Sequence, residues 1–340
     1  MLKESVEKLS TLSGISGREN AVRDYIISEI KDIAEYKVDP LGNVIVFKKG
    51  KRPPKNKVML DAHMDEVGFI VTYVTDDGLL KFSNVGGINT KVFVGKTVKV
   101  GSDGITGVVG IVPIHLTDSD KKRDIPDKDS LYIDIGASSK EDALKHVRPG
   151  DSICFDSDYV EFGENYVKCK ALDDRVGCAI LLEMIKSELE YDMYFSFSVQ
   201  EEIGLRGAAV SSFEIAPDYA ICVETTTASD IPGVENEKRV CLLGDGAVVS
   251  FMDRSTVYNK ELFDRAFEIA KEYSVRIQTK TVVAGGNNAG AIHKSRGGVK
   301  ILTVSVPCRY LHSPSCVINW NDAEESRKII ELLSSEFANA

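Results

Sequence analysis

The sequence predicts an α/β protein in which a mixed sheet flanked by helices is interrupted by a small β-rich, barrel-like module. Three observations predict it. From Asp173 onward, helical and extended patterns alternate, as they do when helices cover the faces of a largely parallel or mixed sheet. Between Val67 and about Glu164 that rhythm gives way to short β runs separated by glycine turns. The strands of the α/β part also tend to end in histidine or carboxylate residues, and strand ends are where such folds place their ligand sites. The expected division is therefore residues 1–66 and 165–340 as one discontinuous domain, with 67–164 inserted into it.

The elements follow in order. Ser16 with Glu19 three residues later has the form of a capping box, and the amphipathic run at 21–30 reads as the helix behind it. Residues 43–47 and 57–60 read as strands, the second delivering Asp61-Ala62-His63-Met64-Asp65-Glu66. Within the inserted stretch, 68–73, 92–95, 98–100 and 107–112 read as β, with one helix near 140–147. The apolar run 173–185 is expected to be a helix and the aromatic run 193–197 a buried strand. That strand leads into Glu201, Glu202 and a turn marked by Gly204 and Gly207. Strands at 219–223 and 301–306, a helix at 261–273 and a terminal helix from about Asp322 complete the pattern.

Composition narrows the function classes. Hydrophobic residues make up 43% and charged residues 28% of the 340, which describes a soluble globular chain with a sizeable core. A net charge of −10 argues against nucleic acid or an anionic membrane as partner. No apolar run approaches spanning length. The seven cysteines form no C-x-x-C pair, so neither a disulfide framework nor a thiolate zinc site is indicated, and a reducing cytoplasm is the expected compartment.

The candidate site collects His63 with Asp65, the Glu201–Glu202 pair, Glu224 and His312, each close behind an apolar strand, and Asp173 at a helix start. Singly, each has a structural alternative: Asp173 as a helix N-cap, Asp65 as a turn residue, His312 as a core hydrogen-bond donor, Glu224 as a surface charge. Jointly they would be five coincidences at the ends of elements. Imidazole with carboxylate is a ligand set for zinc, cobalt or manganese. Two histidines and three carboxylates exceed the needs of one hydrolytic metal and suit two metals bridged by a carboxylate and a water. The close spacing of Asp65 to His63 fits an orienting carboxylate. One glutamate of the pair is then left over, and a free carboxylate beside the attacking water is what a general base requires.

Four strings in order, Asp61-Ala62-His63-Met64-Asp65-Glu66-Val67-Gly68, Ala171-Leu172-Asp173-Asp174-Arg175-Val176-Gly177, Gln200-Glu201-Glu202-Ile203-Gly204-Leu205-Arg206-Gly207-Ala208 and Arg309-Tyr310-Leu311-His312-Ser313-Pro314, resemble the dinuclear aminopeptidases of the tetrahedral (TET) type. That family, metallopeptidase family 42, includes glutamyl aminopeptidases and proteins called cellulase M. Gly86-Gly87-Ile88, Leu131-Tyr132-Ile133-Asp134-Ile135-Gly136-Ala137 and Pro149-Gly150-Asp151 resemble its inserted dimerisation module. The resemblance implies a zinc-peptidase-like catalytic domain that holds two divalent metals, zinc or cobalt first and manganese after them. His63 and Glu224 would ligate one, Glu202 and His312 the other, with Asp173 bridging. It further implies Glu201 as general base in a bridging-hydroxide mechanism, Asp65 as orienter of His63, and a cis peptide between Asp173 and Asp174. Asn288 and Arg309 would meet the substrate. Short peptides are the implied substrates, and a homo-oligomer, a dodecamer built from dimers, the implied assembly.

Two departures bear on the substrate. Glu224 stands where the family usually has Asp, and Gly285-Gly286-Asn287-Asn288-Ala289 stands where Gly-Gly-Thr-Asp-Ala is expected. The change at 288 removes either a contact to a free N-terminus or only a supporting hydrogen bond. Together they keep a rival open, a deacylase or dipeptidase acting on modified small amides. A metal-binding homologue without turnover ranks lower because the base and all five ligand positions are filled, and a glycosidase ranks last because most of the candidate carboxylates are claimed as ligands. Lys168, Cys169 and the 235–239 loop are further candidates for shaping the pocket.

Overall fold

The computed structural model describes residues 2–116 and 125–340. An eight-stranded sheet forms its centre, in the order Glu35–Val38, Val44–Lys48, Met193–Ser198, Val58–His63, Tyr219–Thr227, Lys300–Cys308, Ala247–Val249 and Ile277–Thr279. The four middle strands run parallel to one another, an antiparallel partner flanks them on each side, and the outer pair Ala247–Val249 with Ile277–Thr279 is itself parallel. Parallel strands need both faces covered, which explains why Val58–His63 is buried at every position. Helices Leu172–Lys186 and Trp320–Asn339 pack against these strands, and Leu172–Lys186 keeps almost no exposed residue.

The six strands Gly68–Val74, Leu80–Val85, Thr97–Val100, Ile105–Gly110, Tyr132–Asp134 and Ser152–Phe155 close into a barrel with a core of its own. Phe69 is its hub, with the rings of Phe82, Phe93 and Phe155 edge-on at 5.1, 4.9 and 5.5 Å. Strand Val160–Phe162 instead joins a small sheet with Tyr166–Cys169 and Cys316–Asn319. The chain leaves the main sheet for the barrel past Glu66. Its buried Oε1 accepts hydrogen bonds from Gly14 N at 3.0 Å and Lys170 Nζ at 2.7 Å, with Arg175 Nη2 at 3.5 Å. Removing one partner from such a buried ionic cluster costs about 3–5 kcal/mol.

Several elements differ from the sequence reading. Residues 92–95, read as β, follow a single 3₁₀ turn, Thr90–Val92, in which Asn89 caps the Lys91 N–H at 3.0 Å. The strand expected at 219–223 continues to Thr227, so Glu224 lies inside a strand and not beyond its end. Helix Asn20–Ile30 forms, but the capping box does not. Ser16 Oγ donates to Asp65 Oδ2 at 2.6 Å, and Glu19 Oε1 accepts from Gly17 N and Gln200 N. Both side chains serve the site instead of the helix end. Among the described residues, no helix is long and apolar enough to cross a membrane, and all seven cysteines are free and buried.

Candidate metal centre

Parallel neighbours bring their C-terminal ends to one edge of the sheet, and the candidate residues gather there. His63 closes its strand in register with Ser198, so the turn after Ser198 sets Glu201 and Glu202 beside it. Gly207 makes that turn possible, because a Cβ on it would lie 2.3 Å from Asn43 Oδ1 and 2.4 Å from Val199 O. Glu224 comes from the next strand, Asp173 from the start of helix Leu172–Lys186, and His312 from the loop after Lys300–Cys308. The Asp173–Asp174 peptide is cis. Gly177 leaves room for the Asp174 carboxylate, which its missing Cβ would otherwise meet at 2.3 Å.

Asp173 stands between the two histidines. Its Oδ1 lies 3.5 Å from His63 Nε2 and its Oδ2 lies 3.4 Å from His312 Nε2. Glu224 Oε2 is 3.7 Å from His63 Nε2, and Glu202 Oε1 is 3.2 Å from His312 Nε2. The outer nitrogens are held as well: His63 Nδ1 lies 3.0 Å from the Asp65 carbonyl and His312 Nδ1 lies 2.8 Å from the Gly87 carbonyl. Asp65 thus reaches His63 mainly through its backbone, with carboxylate Oδ1 at 3.4 Å. That carboxylate also accepts the backbone N–H groups of Glu201 at 3.0 Å and Glu202 at 3.1 Å.

Burial pushes the Glu201 carboxyl up to about 8, with His63 opposing and Glu202, Asp65 and Asp173 adding repulsion. Burial also raises Glu202 and lifts Glu224 well above the usual range. Burial disfavours an ionised Asp173, yet hydrogen bonds and charge from His312 and His63 outweigh it and hold its carboxyl well below the usual range. Burial likewise disfavours a charged His312, but its bonds to Asp173 and Glu202 carry it to about 11.

The donor set fits divalent cations. Two groups, His63–Asp173–Glu202 and His63–Asp174–Glu224, each bring ligand atoms within 4.8 Å of one another. Glu224 Oε1 is buried without any hydrogen-bond partner, an orphan that a cation would satisfy. The raised histidines point the same way, since imidazolium charge balances carboxylates that a metal would otherwise neutralise.

A cavity of about 220 Å³ opens onto these groups, lined also by Thr225, Thr226, Thr227, Lys280, Asn287 and Leu311. Asn288 and Arg309 lie outside that lining. Asn288 is fully buried behind it, donating through Nδ2 to Asp61 Oδ2 and Ser198 Oγ, both at 2.8 Å. Arg309 forms a two-pronged pair with Asp230, both contacts at 2.7 Å. Lys168 bonds the Asp158 carbonyl, Cys169 is buried, and the 235–239 loop does not reach the lining. Sequence reasoning missed Lys280, Asn287 and the threonines as pocket residues: the threonines close strand Tyr219–Thr227 and Lys280 follows Ile277–Thr279, but none carries the histidine or acidic chemistry that marks the other candidates.

The M42 glutamyl aminopeptidase model matches residues 42–329. The chain belongs to that family. It is 40% identical over 328 residues to a putative aminopeptidase of Acetivibrio thermocellus, covering 96% of each. It is 34% identical to a lysyl aminopeptidase of Pyrococcus furiosus, covering 98% of this chain and 96% of that one. The TET1 peptidase of Pyrococcus horikoshii, which can assemble into a tetrahedron or a large octahedral shell, superposes with a TM-score of 0.87 at 36% identity, covering 99% of this chain and 100% of the other.

Proposed function

We propose that this family member is an aminopeptidase that removes residues from the N-termini of short peptides and depends on two divalent metal ions. The observation that carries the reading is Asp173, one carboxylate with an oxygen toward each of two histidines, at the rim of a cavity holding a spare glutamate. His63 and Glu224 would hold one ion and Glu202 and His312 the other, with Asp173 shared between them. When bound, such cations polarise a scissile carbonyl and acidify an attacking water; zinc, cobalt and manganese all suit this donor set.

Glu201 takes the proton of the attacking water and returns it to the departing amine. It lines the cavity beside the groups that would hold the ions and is not itself needed as a ligand, which suits a group that must take a proton and return it. Asp65 orients both partners, His63 through its carbonyl and the glutamate pair through its carboxylate. A cavity of about 220 Å³ is below the range for drug-sized ligands and suits the end of an extended peptide. By kinship with the Pyrococcus horikoshii peptidase we take the working form to be a large assembly of copies of this chain, a dodecamer in the first instance, which a mass measurement in solution tests.

The test of activity is hydrolysis by metal-depleted protein re-supplied separately with zinc, cobalt and manganese. Short peptides with free N-termini are paired with their acetylated twins. Metal-dependent release of N-terminal residues from the free peptides alone is the expected result. Cleavage of only the acetylated twins would overturn it in favour of a deacylase.

A further inference from the structure

We propose that Lys280 reads the first side chain of the substrate, and that the side chain it selects is a carboxylate, glutamate or aspartate. The inference rests on the aminopeptidase reading and goes beyond it, because kinship leaves the preference open: the matching model is described as glutamyl, whereas the Pyrococcus furiosus relative is a lysyl aminopeptidase. Those two preferences require opposite charges in the pocket.

Lys280 is the one lysine or arginine on the described lining of the cavity that holds His63, Glu201 and Glu224. It follows the edge strand Ile277–Thr279 and is only 9% exposed. An ammonium has three donors, and here one is used, at 3.0 Å to the Ala284 carbonyl. No carboxylate pairs with it among the described residues. Burial lowers its pKa, opposed by the charges of Asp253, Cys241 and Glu224. Asp253 is already occupied by Ser255 N at 2.7 Å, Thr256 N at 2.8 Å and Tyr258 Oη at 2.6 Å, and Glu224 faces His63.

A buried cation with two idle donors is costly to keep unless something arrives to meet it. On the same lining, Thr225 Oγ1 is buried without a hydrogen-bond partner. An ammonium and an orphan hydroxyl in one small cavity match the acceptor-only chemistry of an ionised carboxylate. A substrate lysine would instead bring a second cation beside the first. Glutamine, nearly the same shape as glutamate, lacks the charge, and charge-assisted hydrogen bonds are roughly twice as strong as neutral ones.

The experiment compares kcat/KM of the metal-loaded protein on short peptides that differ only in their first residue: Glu, Gln, Lys and Leu. Glu is expected to exceed Gln by about tenfold or more. Lys280→Met should bring the Glu-to-Gln ratio near one, and Lys280→Glu should move preference from Glu toward Lys. A merely structural lysine would lower all four rates together and leave the ratios unchanged, and that result overturns the proposal, as does a wild type that treats Glu and Gln alike. Failure to cleave any peptide with a free N-terminus would sink the aminopeptidase reading instead. Lys280 is then judged by calorimetry with free L-glutamate and L-glutamine on the same metal-loaded protein. Tighter binding of glutamate that disappears in Lys280→Met sustains the proposal, and equal binding of the two overturns it.

Discussion

The Asp65 carboxylate accepts the backbone N–H of Glu201 through Oδ1 at 3.0 Å, while its Oδ2 takes Glu202 N–H at 3.1 Å and the Ser16 hydroxyl at 2.6 Å. One fully buried acid, in the turn after strand Val58–His63, therefore fixes the main chain of both glutamates. Asp65→Asn exchanges one acceptor oxygen for an amide that would face a backbone N–H. The expected loss is about 1–3 kcal/mol of stability, the cost of leaving a buried donor unmet, with a fall in kcat because the glutamates lose their anchor. Its interactions hold the Asp65 carboxyl below the usual value, burial opposing and His63 and Ser16 prevailing. Stability from this group is present above the unfolded value of about 3.9 and lost as pH falls through the lower folded value, so the variant should lack that acid-side loss. Thermal melts across pH test it; identical acid limbs in the two proteins would contradict it.

Glu201→Gln keeps the size of the side chain and removes its basicity. Turnover should fall by about 10²–10⁴, the usual worth of a positioned base, while bound metal per chain stays as in the parent protein. Metal content by elemental analysis and single-turnover rates decide together. Near-normal turnover would remove Glu201 from the role of base.

Much of this centre is legible in the sequence because metal ligands are chemically distinctive and the chain repeats one device, an apolar strand ending in a polar group. His63, Asp173, Glu201, Glu202, Glu224 and His312 all come together at one edge of the sheet. What the sequence hides are contacts whose chemistry is ordinary. The Ser16 and Glu19 spacing is equally good for a helix cap and for a tertiary bond, and only the approach of residues 65 and 200 decides. The Gly87 carbonyl that holds His312 crosses 225 positions of sequence, a pairing with no local signal. Asn288 reads as a pocket residue beside Asn287, but the start of helix Ala289–Ile292 points it inward to Asp61.

Metal binding should expel protons. His63 and His312 both stand above the ordinary histidine value, and Glu202 and Glu224 above the carboxylate value, so ligation must displace protons from them. In metal-free protein, Glu201, at about 8 when folded against 4.5 in the reference state, contributes stability at low pH that is lost as pH rises through that window. His312 acts in the same direction, its contribution complete below 6.5 and lost toward about 11. The melting temperature gained on adding zinc should therefore be larger at pH 8 than at pH 6. Calorimetry in buffers of different ionisation enthalpy should register proton release near neutrality. A zinc-induced gain that shrinks between pH 6 and pH 8 would contradict this account.

Asn288→Asp tests the support behind His63. Asn288 Nδ2 donates to Asp61 Oδ2 at 2.8 Å, and Asp61, pushed up to about 6 by burial, is held by that bond and by Ser198. An aspartate at 288 would set two carboxyls against each other with no amide donor between them, and two such groups cannot both ionise in a buried site. The pair must keep a proton, so its folded-state affinity for that proton rises above the unfolded value. Stability from this pair is then present at low pH and lost as pH rises. The variant should melt below the parent at pH 8, by the equivalent of about 1–3 kcal/mol, and recover most of the gap near pH 5. A deficit that stays constant across that range would mean a packing fault and not a shared proton. No deficit at pH 8 would mean that the Asn288 amide does not hold Asp61 in place.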